Sequence, residues 1–221
     1  MRWRLLAEVP AEDARRLLQI ARRRRFARNE VVFHHDDPAD SMHLIAKGRF
    51  AIRIMTPLGD TAMLGVRGPG ESFGEMALVS ERERRSASVA ALEEAETFAV
   101  YREEFERLRR EHPSVNQMLI GFLANEVRTM NERLLEALYV PVERRVLRQL
   151  VELAGVYPPG GDGHVLLPLT QETLAELAGT SRATVNRVLN EEQQRGTVEL
   201  RRGKTLVIGL EALVDRAGRT R

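Results

Sequence analysis

The sequence predicts an α+β chain: an antiparallel β-roll of the jelly-roll kind, one long helix, and a small helical unit that closes on a β-hairpin. Three observations carry this. Short apolar–polar alternations divided by turn residues fill residues 29–101. An apolar stripe at gaps of three and four runs through residues 114–138. Beyond Pro141 come two helical patterns around Ala178-Gly179-Thr180, then two alternating runs with Arg202-Gly203 between them. The expected division is residues 1–112, 113–140 and 141–221.

At 221 residues the chain suits one or two domains, each with its own core. Hydrophobic residues make up 43% and charged residues 30%, the balance of an ordinary water-soluble protein. The net charge is +2, although the isoelectric point is about 9.4. Global charge therefore does not demand nucleic acid, but a local basic face could hold it. There is no cysteine, which excludes disulfides, thiolate iron–sulfur clusters and cysteine zinc sites. A reducing cytoplasm suits such a chain. Met1-Arg2-Trp3-Arg4 leads into an apolar run too short for a signal peptide, and no stretch reaches the length of a membrane span.

Residues 10–21 read as a helix. Pro10 suits a first turn, Glu12 and Asp13 sit at the positive end of the dipole, and Leu17, Leu18 and Ile20 form an apolar side. The four arginines at 22–25 could contact nucleic acid, but a solvated helix end meeting the negative pole of the dipole is the favoured reading. From Asn29 the period falls to two. Residues 31–33, 42–46, 50–55, 62–66, 86–92 and 97–101 are the strand candidates. Asp36-Asp37-Pro38, Lys47-Gly48, Pro57-Leu58-Gly59-Asp60 and Gly68-Pro69-Gly70 supply turns between them. His34 and His35, with His43 nearby, do not read as a metal site. Neighbouring histidines on a strand point to opposite faces, so an exposed turn is the reading.

Residues 102–110 form a short helix closed by His112-Pro113. In the long helix that follows, Leu123, Val127, Met130, Leu134 and Ala137 recur at gaps of four, three, four and three, with Leu119 in step before them. Such a helix could pack on its own barrel. The regular seam and its polar flanks favour a parallel dimer instead. Pro141 removes a backbone donor and disfavours helix at Val140, which places a hinge at 140–142. Residues 143–154 are helical again, 157–163 a loop and 165–169 a strand.

The densest motif lies between two strand candidates. In Gly70-Glu71-Ser72-Phe73-Gly74-Glu75-Met76-Ala77-Leu78 the glycines allow a tight turn and close ligand approach. Residues 75–78 can form one helical turn whose first N–H groups face an anion. Arg85 can fork onto phosphate oxygens, and Ser86 adds a hydroxyl. Glu75 supplies an acceptor suited to a ribose hydroxyl rather than to a phosphate. A sugar phosphate fits that combination better than a free anion does. A plain hairpin with a solvated charge run over residues 81–85 is the bland alternative, and the joint offsets of glycine, acid, arginine and hydroxyl speak against it.

Near the other end, Thr170 caps one helix, Ala178-Gly179-Thr180 makes a turn, and Thr180 or Ser181 caps the next. Leu174, Ala175, Leu177, Val185, Val188 and Leu189 give the inner faces. This is a helix-turn-helix pattern. Arg182 and Arg187 lie where a major groove would be, each able to fork onto guanine O6/N7. Thr170, Ser181, Thr184 and Asn186 are short donors suited to phosphates or, in part, to bases. Gly196 ends the second helix. Residues 198–208 form a basic-tipped wing on which Arg201, Arg202 and Lys204 are phosphate contacts.

Phe73-Gly74-Glu75-Met76-Ala77-Leu78 with Arg85-Ser86-Ala87 resembles the phosphate cassette of cyclic-nucleotide-binding domains. Joined to a winged helix-turn-helix in this order, residues 10–210 resemble the Crp/Fnr family of bacterial transcription regulators. The resemblance implies a dimeric regulator controlled by a cyclic nucleotide, cyclic AMP first, that binds palindromic double-stranded DNA and works with RNA polymerase. It places the ribose hydroxyl on Glu75 and the cyclic phosphate on Arg85 and Ser86, with the backbone around Gly74 and Met76. Members that sense cyclic AMP present a polar pair from the long helix to adenine; the matching positions are Met130 and Asn131. Asn131 can read an adenine edge; Met130 stands where threonine is usual and cannot. Asp36 stands where glycine is usual, and aspartate tolerates a left-handed backbone. Arg182 and Arg187 match the family's guanine-reading arginines. Ala183 stands where many members carry glutamate, which implies half-sites related to TGTGA but altered at the base pair facing Ala183.

The absence of cysteine sets aside the family's iron–sulfur branch and its thiolate-ligated haem branch. A regulatory subunit of a partner enzyme would account for the β-roll but has no use for residues 170–208. No nucleophile elbow, carboxylate pair or metal spacing supports an enzyme, and the histidines read as lying in turns or beside Pro113. Neither an effector-free member nor another nucleotide is excluded, and the regulated genes and the sign of regulation lie outside what residues encode.

Overall fold

Helix α1, Ala11–Ile20, stops where Ala21 turns extended at φ −77°, ψ 138°. This is seen in a computed structural model that describes residues 3–6, 10–55, 61–79, 84–112 and 114–218. The chain separates into two units, Met1–Thr129 and Met130–Arg221. In the first, β1 (Arg22–Phe26), β2 (Val31–Phe33), β3 (Ser41–Lys47), β4 (Phe50–Met55), β5 (Thr61–Arg67) and β6 (Ser72–Phe73) lead to the short helix α2 (Met76–Val79). Then come β7 (Ser88–Ala91), β8 (Ala95–Tyr101), α3 (Arg102–Glu111) and the long α4 (Ser114–Tyr139), whose residues from Met130 on are counted with the second unit. The strands form two antiparallel sheets, β1-β8-β3-β6 and β2-β7-β4-β5.

The arginine run corrects the sequence reading. Residues 22–25 are no helix end but the edge strand β1, in register with β8 from Arg22↔Ala99 to Phe26↔Ala95. Only Phe26 of this strand is buried, so the run lacks the alternation that betrays a strand. Acids on neighbouring elements compensate it: Arg22 donates to Glu104 at 2.5 Å and Arg23 to Glu96 at 2.5 Å. Charge along an edge strand also discourages pairing with another chain.

Two clusters hold the unit. Leu17, Met42, Leu44, Leu78, Val100, Phe105 and Leu108 join α1, α2 and α3 to the strands, together with Trp3 and the first turns of α4. Phe26, Ile45, Phe50, Phe73, Val89, Ala91 and Ala95 fill the space between the sheets. His43 belongs with the second cluster, which corrects the reading of the histidines as turn residues. It is 5% exposed, stacks on Phe73 at 4.9 Å between ring centroids, and its Nδ1 shares a hydrogen bond with Thr97 Oγ1 at 2.9 Å. Asp36 does adopt the left-handed backbone, at φ +67°. The turn expected at 57–60, and Pro113, lie outside the described residues.

Helix α4 corrects one residue of the expected seam. Leu119 is 5% exposed and sits in the core of the first unit beside Val115. Leu123 packs against that same cluster. The uncovered stripe is Ile120, Val127, Met130 and Leu134, each more than half exposed, with Ala137 also exposed. A period of 3.5 read from sequence cannot choose between 119 and 120; the packing of the first turns does.

In the second unit α5 spans Val142–Val156, β9 Val165–Leu167, α6 Gln171–Ala178, α7 Arg182–Gln194, β10 Val198–Arg201, β11 Lys204–Val207 and α8 Leu210–Ala217. The strands make one antiparallel sheet, β10-β11-β9. Helix α8, unforeseen from the sequence, packs on α5, burying Leu213 and Ala217. Among the described residues no helix is long and apolar enough to cross a membrane, and no cluster of three or more metal-ligating side chains occurs.

Candidate effector site and nucleic-acid interface

The cassette is built around one buried guanidinium. The main chain of Arg85 is pinned to the 34–38 turn, its N–H donating to Asp37 O at 2.8 Å and its carbonyl accepting from Asp36 N at 3.0 Å. Its side chain, 4% exposed, runs inward. Nη1 donates to Ser41 O at 2.5 Å, and Nη2 to Asp40 Oδ1 at 2.9 Å and Ser41 Oγ at 3.0 Å. The guanidinium carbon lies 4.0 Å from the centre of the Phe33 ring, a cation–π contact. Arg85 Nε is buried and has no protein partner. Desolvation lowers the pKa of Arg85, and Asp40 opposes that shift.

Gly74 explains its own identity here. Its φ is +78°, and a Cβ would stand 3.0 Å from Arg85 Nη1 and 3.1 Å from Ser41 O. Glu75 follows, half-buried, with Met76 exposed beside it at the start of α2. Burial raises the pKa of the Glu75 carboxyl, and Glu126 on α4 raises it further while Arg67 and Arg85 pull it down. Arg67 also faces Glu126 at 3.7 Å and Glu71 at 3.5 Å. Ser86 stands exposed next to Arg85. The first unit thus brings together Gly74, Glu75, Arg85 and Ser86. Met130 and Asn131 belong to the other unit and stand exposed on α4.

Sequence reading missed Asp40, Ser41, Phe33 and Glu126 as members of this neighbourhood. Asp40 and Arg85 are 45 residues apart, and no local pattern links them. The backbone bridge between the 36–38 turn and Arg84–Arg85 brings them together.

In the second unit Thr170 Oγ1 accepts from Thr173 N at 3.2 Å and Ser181 Oγ from Thr184 N at 3.2 Å, the two N-caps. Gly179 closes α6 in the left-handed region at φ +60°. Arg182, Ala183, Asn186 and Arg187 are exposed on α7, and Thr184 is half-buried. Asn186 Nδ2 donates to Gln171 Oε1 at 3.1 Å, tying α7 to α6. Arg187 is clamped: Nη2 donates to Glu143 Oε1 at 2.7 Å and Nη1 to Glu191 Oε1 at 3.0 Å. Arg201 pairs with Glu199 at 2.8 Å. Arg202 and Lys204 stand exposed around Gly203, whose φ is +68°. No ion pair among the described residues engages Arg182, Arg202 or Lys204.

Glu192 is a further residue the sequence did not flag. It is 1% exposed and accepts from Thr197 Oγ1 at 2.7 Å, Arg195 Nη1 at 2.9 Å and Arg216. Burial alone would raise its pKa, but these hydrogen bonds hold it below the ordinary carboxylate value. It locks the end of the second motif helix to the wing and to α8.

A buried arginine beside a glycine cradle in a β-roll, and a capped helix-turn-helix with a basic wing, both have counterparts among known proteins. Residues 23–112 match the family profile for the cyclic nucleotide-binding domain, and residues 144–216 match the Crp-like helix-turn-helix domain. A CRP-like cAMP-activated global transcriptional regulator of Mycobacterium tuberculosis is 31% identical over 87% of this chain and 86% of its own. The chain belongs to the Crp family of transcription regulators. The cyclic AMP receptor protein of Thermus thermophilus is 34% identical over 92% of this chain and 91% of its own. The solved structure of the c-di-GMP-responsive regulator CLP of Xanthomonas campestris shares the fold, with a TM-score of 0.76 at 23% identity over 90% of this chain and all of its own. As a Crp-family member the protein is a DNA-binding transcription regulator carrying a cyclic nucleotide-binding domain, and not an enzyme.

Proposed function

We propose that this regulator is a homodimer whose affinity for palindromic DNA is set by a cyclic nucleotide, cyclic AMP foremost, held in the cassette of each chain. The observation that carries the reading is the Arg85 guanidinium: buried, positively charged, its Nη1 packed where a Cβ at Gly74 would stand 3.0 Å away, and with an unpartnered Nε–H. A buried donor without an acceptor is costly, and an anionic oxygen relieves that cost. Ser86 offers a second donor. Glu75 accepts from ribose hydroxyls, which favours its ionised form and opposes the desolvation that raises its pKa. Asn131 reads the base, and Met130 contributes contact area only.

The exposed stripe on α4 pairs with that of a second chain, because an apolar stripe at 3.5-residue spacing is buried most simply by its own copy. Arg182 and Arg187 read base edges while Thr170, Ser181, Thr184, Asn186, Arg201, Arg202 and Lys204 contact backbone or bases. Ala183 leaves its base pair without a polar reader. Relatives named as a cAMP-activated regulator and as a cyclic AMP receptor protein support the choice of nucleotide. RNA polymerase is the proposed protein partner and the cytoplasm the proposed location. Calorimetric titration of the nucleotide-stripped protein with cyclic AMP tests the reading, with Arg85→Ala as control. One site per chain, lost in the variant, is expected. A folded dimer that takes up no cyclic AMP overturns the effector assignment and leaves the DNA-binding part standing.

A further inference from the structure

Of the two arginines read as base readers, Arg187 is the one that carboxylates already grip among the described residues. Two carboxylates hold it. Glu191 is one helical turn further along α7, so it travels with the arginine. Glu143 comes from another element, the first turn of α5, and reaches Arg187 Nη2 at 2.7 Å. The two grips use one N–H on each terminal nitrogen. A guanidinium has five N–H groups, so a second hydrogen on each terminal nitrogen and the one on Nε stay available. The Arg187 side chain is 52% exposed, which leaves an outward edge for a base. Nor is the start of α5 free to drift. Arg145, two residues along, donates to Ala137 O at the end of α4 at 3.0 Å and to Gly179 O in the motif's turn at 3.2 Å.

We propose that Glu143 is a specificity-determining positioning residue for DNA recognition: it aims the Arg187 fork at a guanine from outside the helix-turn-helix. This rests on the reading that Arg187 faces DNA bases. An arginine with four rotatable bonds loses much freedom on binding, and a side chain fixed beforehand loses less. A fixed fork also fits one base edge and no other. The arrangement has an opposing effect. One arginine with two carboxylates carries one excess negative charge, which repels phosphates and weakens binding to any sequence. Glu143 therefore trades general DNA affinity for discrimination. Glu191 cannot do the same, because it moves with the helix that carries Arg187.

The test uses the full chain and a palindrome obtained by binding-site selection. It is compared with the same duplex changed at the guanine whose preference disappears in Arg187→Ala. In Glu143→Gln, affinity for the changed duplex is expected to rise several-fold, while the ratio of affinities for the two duplexes falls by about tenfold, the scale of one well-placed arginine–guanine pair. In the Arg187→Ala background Glu143→Gln is expected to leave that ratio alone and still raise general affinity. A merely structural role for Glu143 would lower both affinities together and lower the melting temperature. A ratio that survives Glu143→Gln overturns the proposal. If Arg187→Ala loses no base preference at any position, the reading of Arg187 as a base reader fails first, and the proposal with it.

Discussion

Two arginines, Arg85 and Arg187, are the proposed ligand contacts of the two units, and they are built in opposite ways. Arg85 is 4% exposed, its pKa lowered by desolvation, and gripped by Asp40, Ser41 and the face of Phe33. Arg187 is 52% exposed, its pKa raised by hydrogen bonds to Glu143 and Glu191. A desolvated charge acts strongly at short range and is barely screened, which suits a small ligand that must be held tightly. A hydrated charge contributes little affinity until DNA arrives, responds to salt, and can be aimed. The two environments differ in burial and in partners: Arg85 is held inside the β-roll by Asp40 and Ser41, while Arg187 is held at the surface by Glu143 and Glu191.

The largest expected effect is at Arg85. Arg85→Ala is expected to weaken cyclic AMP binding by about a hundredfold or more, because charge-assisted hydrogen bonds in a dry site are lost together. The second unit's melting should not change. If binding survives, the buried arginine is structural only.

A second effect of similar rank lies in the lock behind the recognition elements. Glu192→Ala leaves Thr197, Arg195 and Arg216 without their acceptor and is expected to lower stability by about 3 kcal/mol, read from denaturant midpoints. As a carboxylate held below its ordinary pKa, Glu192 stabilises the fold above that ordinary value. The contribution is lost as pH falls through the depressed one.

The third prediction concerns His43, packed under the cassette. Burial, with Arg85 and Arg24 nearby, pushes its pKa down to about 3 from 6.5. The folded state holds it neutral while the unfolded chain takes up a proton. Its contribution is therefore complete above 6.5 and is lost as pH falls toward the lower value. Between pH 6.5 and about 4.5 the wild type should lose about 2 kcal/mol from this group, the slope approaching about 1.4 kcal/mol per unit once the unfolded imidazole is mostly protonated. His43→Phe keeps an aromatic ring against Phe73 but strands Thr97 Oγ1, so it should be about 1 kcal/mol less stable at neutral pH with a flatter acid limb. Equal limbs would show that His43 is hydrated in the folded state.

The smallest effect belongs to the wing. Lys204→Ala should weaken DNA binding a few-fold on all sequences alike and reduce the salt slope by about one. A change confined to one sequence would make Lys204 a base reader instead.

Much of this was legible from residue order, and the failures have physical reasons. Gly74, Glu75, Arg85 and Ser86 lie close in sequence, so their spacing alone drew the cassette. Thr170, Gly179 and Ser181 obey local capping rules, so the turn of the second motif was readable too. Arg22 to Arg25 misled because an edge strand needs no apolar alternation when acids on β8 and α3 cover its charge. Leu119 misled because a helix lying half on a core and half free shows one continuous stripe. Asp40 on Arg85, and Glu143 on Arg187, were invisible because they are tertiary contacts across 45 and 44 residues. Such contacts follow from the fold rather than from any local pattern.

In the proposed mechanism a ligand on Arg85 governs DNA binding by the motif that carries Arg187. The most direct measurement is the anisotropy titration of a labelled, selected palindrome with full-length protein, with and without saturating cyclic AMP, for wild type and Arg85→Ala. The account predicts that cyclic AMP tightens DNA binding by wild type and leaves the variant unchanged. Equal DNA affinity with and without cyclic AMP in wild type, or an equal response in Arg85→Ala, would contradict it.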